Sequence, residues 1–393
     1  MPDQSSRQIG WDMTEPRAAL ASFFATLPNT PQLLALGEPT HGVEALPDWR
    51  NRIFRTLVRD HGFRSITIES DIIAGLRVNA YVTSNQEALD EVMRTGFSHS
   101  LGKSPANREL VEWMRDFNAG REPADHLRFY GFDAPLENLW AASPRASLLA
   151  LHAFLSAHLS DVPIDTATLE RLCGEDGRWT NPEAGMDATK SIGNTDEARQ
   201  LRLLADDLCS LLQTEMPYLA ARAGYWEAEL HARTAAGLLR YHAIVADPAP
   251  TRVARMLRQR DLMMADNLSA IAEREQGRGS TLVFAHNSHL QRNLSTMNMR
   301  GTNLEWWSAG AHVSTRLGNQ YAFIAGVLGS SLEEGIAESA RDALQSAPSN
   351  SADSASLFSA GELNAAVNAG DLPLEMSRYS LAAGVLFVRN AAN

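Results

Sequence analysis

In the stretch LLALGEPTHGVEALPDWR (33–50), a run of apolar residues stops at Glu38, His41 follows three residues later, and Arg50 nine after that. An imidazole exchanges a proton near neutral pH, and a neighbouring carboxylate fixes its tautomer and raises its basicity. Glu38 with His41 therefore reads as a general base and its helper. Three more apolar runs end in the same way. SITIES (65–70) delivers Glu69, with Asp71 just beyond, and LRFYGFD (127–133) delivers Asp133. STLVFAH (280–286) delivers His286, with His289 three residues on. Ligands of an open parallel sheet bind outside the carboxyl ends of its strands. One or two ionisable strand ends arise from the polarity of loops alone, whereas four point to a shared polar site. His286 and His289 serve equally well here as metal ligands, proton donors or oxyanion stabilisers.

The elements that must position these groups follow from periodicity. QLLALGE (32–38), SITIES, LRFYGFD, STLVFAH, NQYAFIAGV (319–327) and AGVLFVRN (383–390) are mostly continuous apolar runs, the pattern of strands covered on both faces. Helical patterns separate them, which argues for an α/β fold with a largely parallel central sheet flanked by helices. One helix is expected from Pro47 to the residue before Gly62. On it Trp49, Ile53, Phe54, Leu57 and Val58 form the apolar face, and Arg50 falls in the middle of that face. A buried guanidinium needs an anion, so Glu38 or Glu69 is its expected partner.

Between 145 and 275 the strand signal fades and four segments carry period-3.6 apolar spacing. The expected organisation is an α/β core over 1–144, a helical insertion shaping the cleft over 145–275, and the rest of the core over 276–393. Residues 346–360, rich in Ser and Ala, read as a surface loop.

What the chain lacks narrows its chemistry. With 35 Lys+Arg against 47 Asp+Glu the net charge is −12, which repels phosphate backbones and speaks against nucleic-acid partners. No apolar run reaches the ~18 residues of a membrane span, and the N-terminus carries no secretory apolar core. A cytoplasmic protein acting on a small molecule, away from membranes, is the expectation. The two cysteines, Cys173 and Cys209, make neither a disulfide framework nor a zinc motif. There is no G-x-S-x-G elbow and no phosphate-binding glycine loop. What remains is water activated by a base, with or without a metal.

Taken in order, these motifs resemble those of the erythromycin esterase family: GEPTH (37–41), Arg50 nine residues later, Glu69 in TIES, GFD (131–133), RDLMMADN (260–267), AHNSHLQ (285–291) and AGAH (309–312). The resemblance implies hydrolysis of a macrolide lactone ester, which opens the ring and confers antibiotic resistance. It makes His41 the general base, Glu38 and Glu69 the groups that orient it or hold the water, and Arg50 the anchor of the carboxylates. His286 would polarise the carbonyl or protonate the leaving alkoxide, with His289 beside it and Asp133 in support. Trp306, Trp307 and His312 are further candidates for the cleft wall. No cofactor is required on this reading. Glu38, His41, Glu69, His286 and His289 suit a divalent metal, but a cation at Arg50 would compete for the same carboxylates. The alternatives are a metal-dependent hydrolase of another ester and a small-molecule binding protein on the same fold.

Overall fold

Strands that alternate inward and outward side chains while apolar on both faces must sit between two layers, and the central runs of this chain do. The computed structural model describes residues 10–84, 87–137, 139–299, 301–328, 355–369 and 381–388. Its main sheet has eight strands: β1 (Trp11–Asp12), β2 (Leu33–Glu38), β3 (Phe63–Asp71), β4 (Arg128–Asp133), β5 (Ser280–His286), β6 (Tyr321–Leu328), β7 (Ala355–Ser359) and β8 (Gly384–Val388). Their spatial order is β1-β7-β8-β6-β2-β5-β3-β4. Every neighbouring pair from β8 to β4 is parallel, and only the β1-β7-β8 edge is antiparallel.

On one face Leu34, Leu36, Leu282 and Phe284 meet Trp49, Ile53, Phe54 and Leu57 of the helix Ala45–Asp60. On the other, Leu33, Ala35, Val283 and Ala285 meet Met264, Leu268 and Ile271 of the helix Arg252–Glu275. The segment between β4 and β5 is helical, with Arg145–His158, Thr166–Cys173, Asp196–Thr214 and Tyr225–Val245 as its main helices. These helices share a leucine-rich core of their own that includes Leu148, Leu151, Leu201, Leu208 and Leu239. Cys173 is buried in it, and both cysteines are free thiols. No helix among the described residues is long and apolar enough to cross a membrane.

Two expectations need correction. The helix carrying Arg50 begins at Ala45, two residues before Pro47. Pro47 falls within its first turn, where a missing N–H breaks no intrahelical bond. The supposed loop over 346–360 is in part a strand: residues 346–354 lie outside the described residues, and β7 pairs antiparallel with β8. Ala355, Leu357 and Phe358 of β7 are fully buried, so this stretch packs as an inner strand between β1 and β8.

Candidate active site

Parallel register brings the strand ends together. Glu38 on β2 lies directly opposite His286 on β5, and β3 and β4 pair Asp71 with Asp133. Two glycines of the motifs are set by close approach. A Cβ at Gly37 would overlap the Asn287 amide oxygen, which accepts the Gly326 N–H at 3.1 Å while its NH₂ donates to the Gly326 carbonyl at 2.9 Å. A Cβ at Gly131 would meet the carbonyls of Ser70 and Asp71 where β3 bulges toward β4. The Gly of GEPTH and the Asn of AHN are therefore one interlock across β2, β5 and β6.

At the rim, His41 Nδ1 lies 2.7 Å from Glu38 Oε1. The Glu38 side chain is buried and the His41 side chain is 55% exposed. Nδ1–H donates to the carboxylate, and among the described residues the other ring nitrogen has no hydrogen-bond partner, so its lone pair faces solvent. The Glu38 hydrogen bond raises the His41 pKa against the pull of burial, with Glu69 adding to the rise. Burial in turn pushes the Glu38 carboxyl up, and His41 opposes it.

Behind this dyad, His286 is fully engaged. Its Nε2–H donates to the Pro39 carbonyl at 2.8 Å, and its Nδ1 faces the Ser288 hydroxyl at 2.7 Å and the Ser288 N–H at 3.1 Å. Burial, helped by His41 and His289 and opposed by Glu69, brings its pKa down to about 4. A neutral ring with both nitrogens occupied holds the Pro39–His41 turn in place; the arrangement leaves it no spare proton for a leaving group. Its ring centre is 5.4 Å from that of His41.

Glu69 connects the two halves of the site. Its Oε2 accepts the His286 backbone N–H at 2.8 Å, while Oε1 is 3.3 Å from Arg260 Nη2 and 3.4 Å from His289 Nε2. Burial opposes its charge, but His289, Arg260 and His41 hold its pKa at about 2. His289 is sandwiched, with Nδ1 3.0 Å from both oxygens of the buried Asp261. Against burial, Asp261 and Glu69 raise its pKa to about 9, so it is an imidazolium at neutral pH. Asp261 also accepts the Ala309 N–H at 2.8 Å.

A second cation of the site is Arg260, whose side chain is 12% exposed, and its role had no signal in the sequence beyond membership of RDLMMADN. Its Nη2 lies 2.7 Å from Asp133 Oδ2, with Nε 3.2 Å from both Asp133 oxygens. Against burial, Asp133 and Glu69 raise its pKa further, while Arg260 and His99 hold the buried Asp133 at about 2. Arg50, expected to pair with Glu38 or Glu69, does not. It is buried as anticipated, but its hydrogen bonds go to Asn51 Oδ1 (3.1 and 2.8 Å) and Asn107 Oδ1 (2.8 Å). Its guanidinium carbon sits 5.0 Å above the Phe284 ring. Burial lowers its pKa to about 10, opposed by more distant carboxylates including Glu38. Its place beneath β5 makes it a packing cation whose charge is spread through Asn51 to Glu109, 2.8 Å from the Asn51 amide. His312 is partly buried in the helix Ala309–Leu317 and has no side-chain hydrogen bond to the cluster among the described residues. Trp306 is buried against Leu257 and Leu304, while Trp307 is 53% exposed.

The His289 ion triad has a measurable consequence. An imidazole whose folded pKa is raised to about 9, from about 6.5 unfolded, contributes stability that is complete below pH 6.5 and lost as pH rises to 9. Urea unfolding should therefore show the wild type losing on the order of 2 kcal/mol over that window. His289→Asn should flatten that slope, and an unchanged slope would remove the imidazolium from the account.

Among the described residues, no three His, Cys, Asp or Glu side chains are grouped to hold a metal ion. The geometry provides one solvent-facing imidazole base, a buried carboxylate behind it, and two cations, Arg260 and His289, sharing Glu69.

The family model described as erythromycin esterase matches residues 58–371. The matched range includes Glu69, Asp133, Arg260, His286, His289 and His312; Glu38, His41 and Arg50 precede it. No curated protein matches the chain. Three solved structures share its fold. A crystal structure of a Bacillus cereus protein is 15% identical at a TM-score of 0.70, over 96% of this chain and 94% of that one. A structure described as a succinoglycan biosynthesis protein is 16% identical at 0.67, over 94% and 89%. A mutant of the erythromycin esterase EreC in its open conformation is 17% identical at 0.66, over 96% and 93%.

Proposed function

The chain belongs to the erythromycin esterase family, and from that premise we propose that it is a carboxylic-ester hydrolase that opens the lactone of a macrolide by histidine-activated water. The observation that carries the reading is the 2.7 Å contact between His41 Nδ1 and the buried Glu38, which directs the free lone pair of Nε2 outward at the carboxyl end of the sheet. In the reaction Nε2 takes a proton from water as the oxygen attacks the ester carbonyl. The tetrahedral intermediate collapses, the C–O bond to the alcohol breaks, and the imidazolium returns its proton to the leaving alkoxide. One water is consumed, and a carboxylic acid and an alcohol are formed.

Glu38 keeps the ring in the productive tautomer and stabilises the imidazolium that forms. Glu69 adds negative potential at His41 and fixes the His286 backbone. His286 holds the Pro39 carbonyl, so it acts on the geometry of the base. The nitrogens of His286 and His289 and the oxygens of Glu69 already have protein partners, and this supports hydrolysis without a metal.

Incubation with erythromycin and with macrolides of other ring sizes, followed by mass spectrometry, should show the gain of one water. Elemental analysis of the active protein should find no stoichiometric metal, and chelation should leave the rate within about twofold of untreated enzyme. Activity lost with a stoichiometric metal and restored by returning it would overturn the metal-free reading. A folded protein that turns over no macrolide would overturn the substrate.

A further inference from the structure

We propose that His99 is a positioning residue for this reaction, acting through Asp133 and Arg260 on Glu69. The proposal rests on the hydrolase reading of the site and extends it to a loop that ends no strand. His99 and Ser100, with φ of 54° and 60°, are the non-glycine residues of positive φ among the described residues. A Cβ makes that region costly, and such strain persists where the surroundings over-determine it.

Here they do so from two sides. Ser98 is fastened to the end of β3: its hydroxyl accepts the Asp71 N–H at 2.8 Å, and its own N–H donates to the Ser70 hydroxyl at 2.9 Å. The His99 N–H donates to Glu137 Oε1 at 2.7 Å. The imidazole lies between two carboxylates, Nδ1 3.1 Å from Glu137 Oε2 and Nε2 3.0 Å from Asp133 Oδ2. The charged groups facing it are therefore Asp133 and Glu137, the Arg260 guanidinium at 3.4 Å, and the buried Asp71 nearby.

The consequence lies in how Asp133 is shared. Its Oδ2 accepts from His99 at 3.0 Å and from Arg260 Nη2 at 2.7 Å, and that same Nη2 reaches Glu69 at 3.3 Å. Oδ2 shared between these two donors, with Oδ1 on the Ala134 N–H at 2.8 Å, cannot turn wholly to the guanidinium, which keeps Arg260 shared between Asp133 and Glu69. If His99 is removed, Oδ2 loses a donor and tightens on Arg260 while Oδ1 stays on the Ala134 N–H, and the longer contact to Glu69 is the one given up. Glu69 is one of the groups that keep His41 basic. Three ion pairs thus link a strained loop to Glu69, whose charge acts on the base.

The test compares His99→Gln, Glu137→Gln and Ser100→Gly. In His99→Gln, kcat should fall ~10–100-fold with KM within about twofold, as expected when a catalytic group is displaced and binding is spared. The acid limb of the activity profile should move to higher pH, because Glu69, still paired with His289, is less neutralised by Arg260 and raises the His41 pKa further. Glu137→Gln releases His99 from its exposed side, and should give the same directions at smaller amplitude; it carries the test if His99→Gln does not fold. Ser100→Gly relieves the strained backbone outside the ion-pair chain and should raise Tm at unchanged kcat. Titration of the His41 ring by NMR is the readout independent of turnover: its pKa should rise in His99→Gln even if no ester is hydrolysed, which separates this proposal from the hydrolase reading. A His41 titration and kcat identical to wild type in both network variants would reduce His99 to a loop staple and overturn the proposal.

Discussion

His41→Asn should lower turnover of the ester substrate by ~10²–10⁴-fold while leaving the fold intact. The two halves of this expectation come from the same geometry. His41 is half exposed and its ring makes one hydrogen bond among the described residues, so little packing is lost with it. The Asn amide can still donate toward Glu38. Burial already pushes the Glu38 carboxyl up, so losing the imidazole costs this carboxylate less than it would a fully stabilised one. The chemistry, in contrast, has no substitute: the neighbouring His286 has both nitrogens occupied, and His289 is an imidazolium with no lone pair.

The sign of the pH dependence follows. A general base works when deprotonated, and Glu38 raises the pKa of His41. In wild type, kcat/KM should therefore rise with pH through a midpoint above the ordinary imidazole value of about 6.5. Glu38→Gln should bring that midpoint down and cut the rate as the tautomer loses its anchor. Mass spectrometry of macrolide ring opening across pH reads both. An asparagine variant that opens the ring at the wild-type rate would remove His41 from the mechanism.

The contact between His41 and Glu38 was legible in the sequence because strand ends are. A continuous apolar run announces a buried parallel strand, and its last polar residue has one place to go, the carboxyl edge of the sheet. Glu38, Glu69, Asp133 and His286 are there because the register of β2, β3, β4 and β5 puts them there. Residues on helices and loops carry no such address. Arg50 could be assigned to the buried face of its helix from 100° spacing, but not to a partner. The anion inferred for it was replaced by two asparagine oxygens and the Phe284 ring, which disperse its charge without an ion pair. Arg260 and Asp261 stand side by side in the middle of a helix of 24 residues, and nothing in a charged pair there says that both turn inward. His99 lies between helices with no periodicity at all. Its role depends on a backbone conformation that a histidine rarely adopts, and composition cannot signal that. The buried strand β7, one in from the edge, was missed for a related reason, since a Ser/Ala-rich stretch reads as a loop until its neighbours are known.

Arg260→Met should be the most destabilising single change at the site, by about 3–5 kcal/mol at pH 7, because it leaves two buried carboxylates without their shared cation. Asp133 and Glu69 are held at about 2 in the folded protein, against about 3.9 and 4.3 in an unfolded chain. Depressed carboxylates contribute stability that is present above pH 4 and lost as pH falls toward 2. Wild type should therefore lose stability steeply over that window. In Arg260→Met both pKa values move up under burial, so the acid slope should flatten, and the gap between the two proteins should be widest at pH 7 and narrow toward pH 2. Arg260→Lys should recover only part of the loss, because an ammonium cannot reproduce the fork that meets both Asp133 oxygens while reaching Glu69. Adding Asp133→Asn to Arg260→Met should restore part of the stability by removing one orphaned charge, and the double variant should still be slow, since Glu69 remains unanchored on that side. Urea unfolding at several pH values separates these outcomes. A gap of under about 1 kcal/mol, or one that stays constant from pH 7 to 2, would mean that Arg260 does not hold the carboxylates, and the physical link from Asp133 to the base would be broken with it.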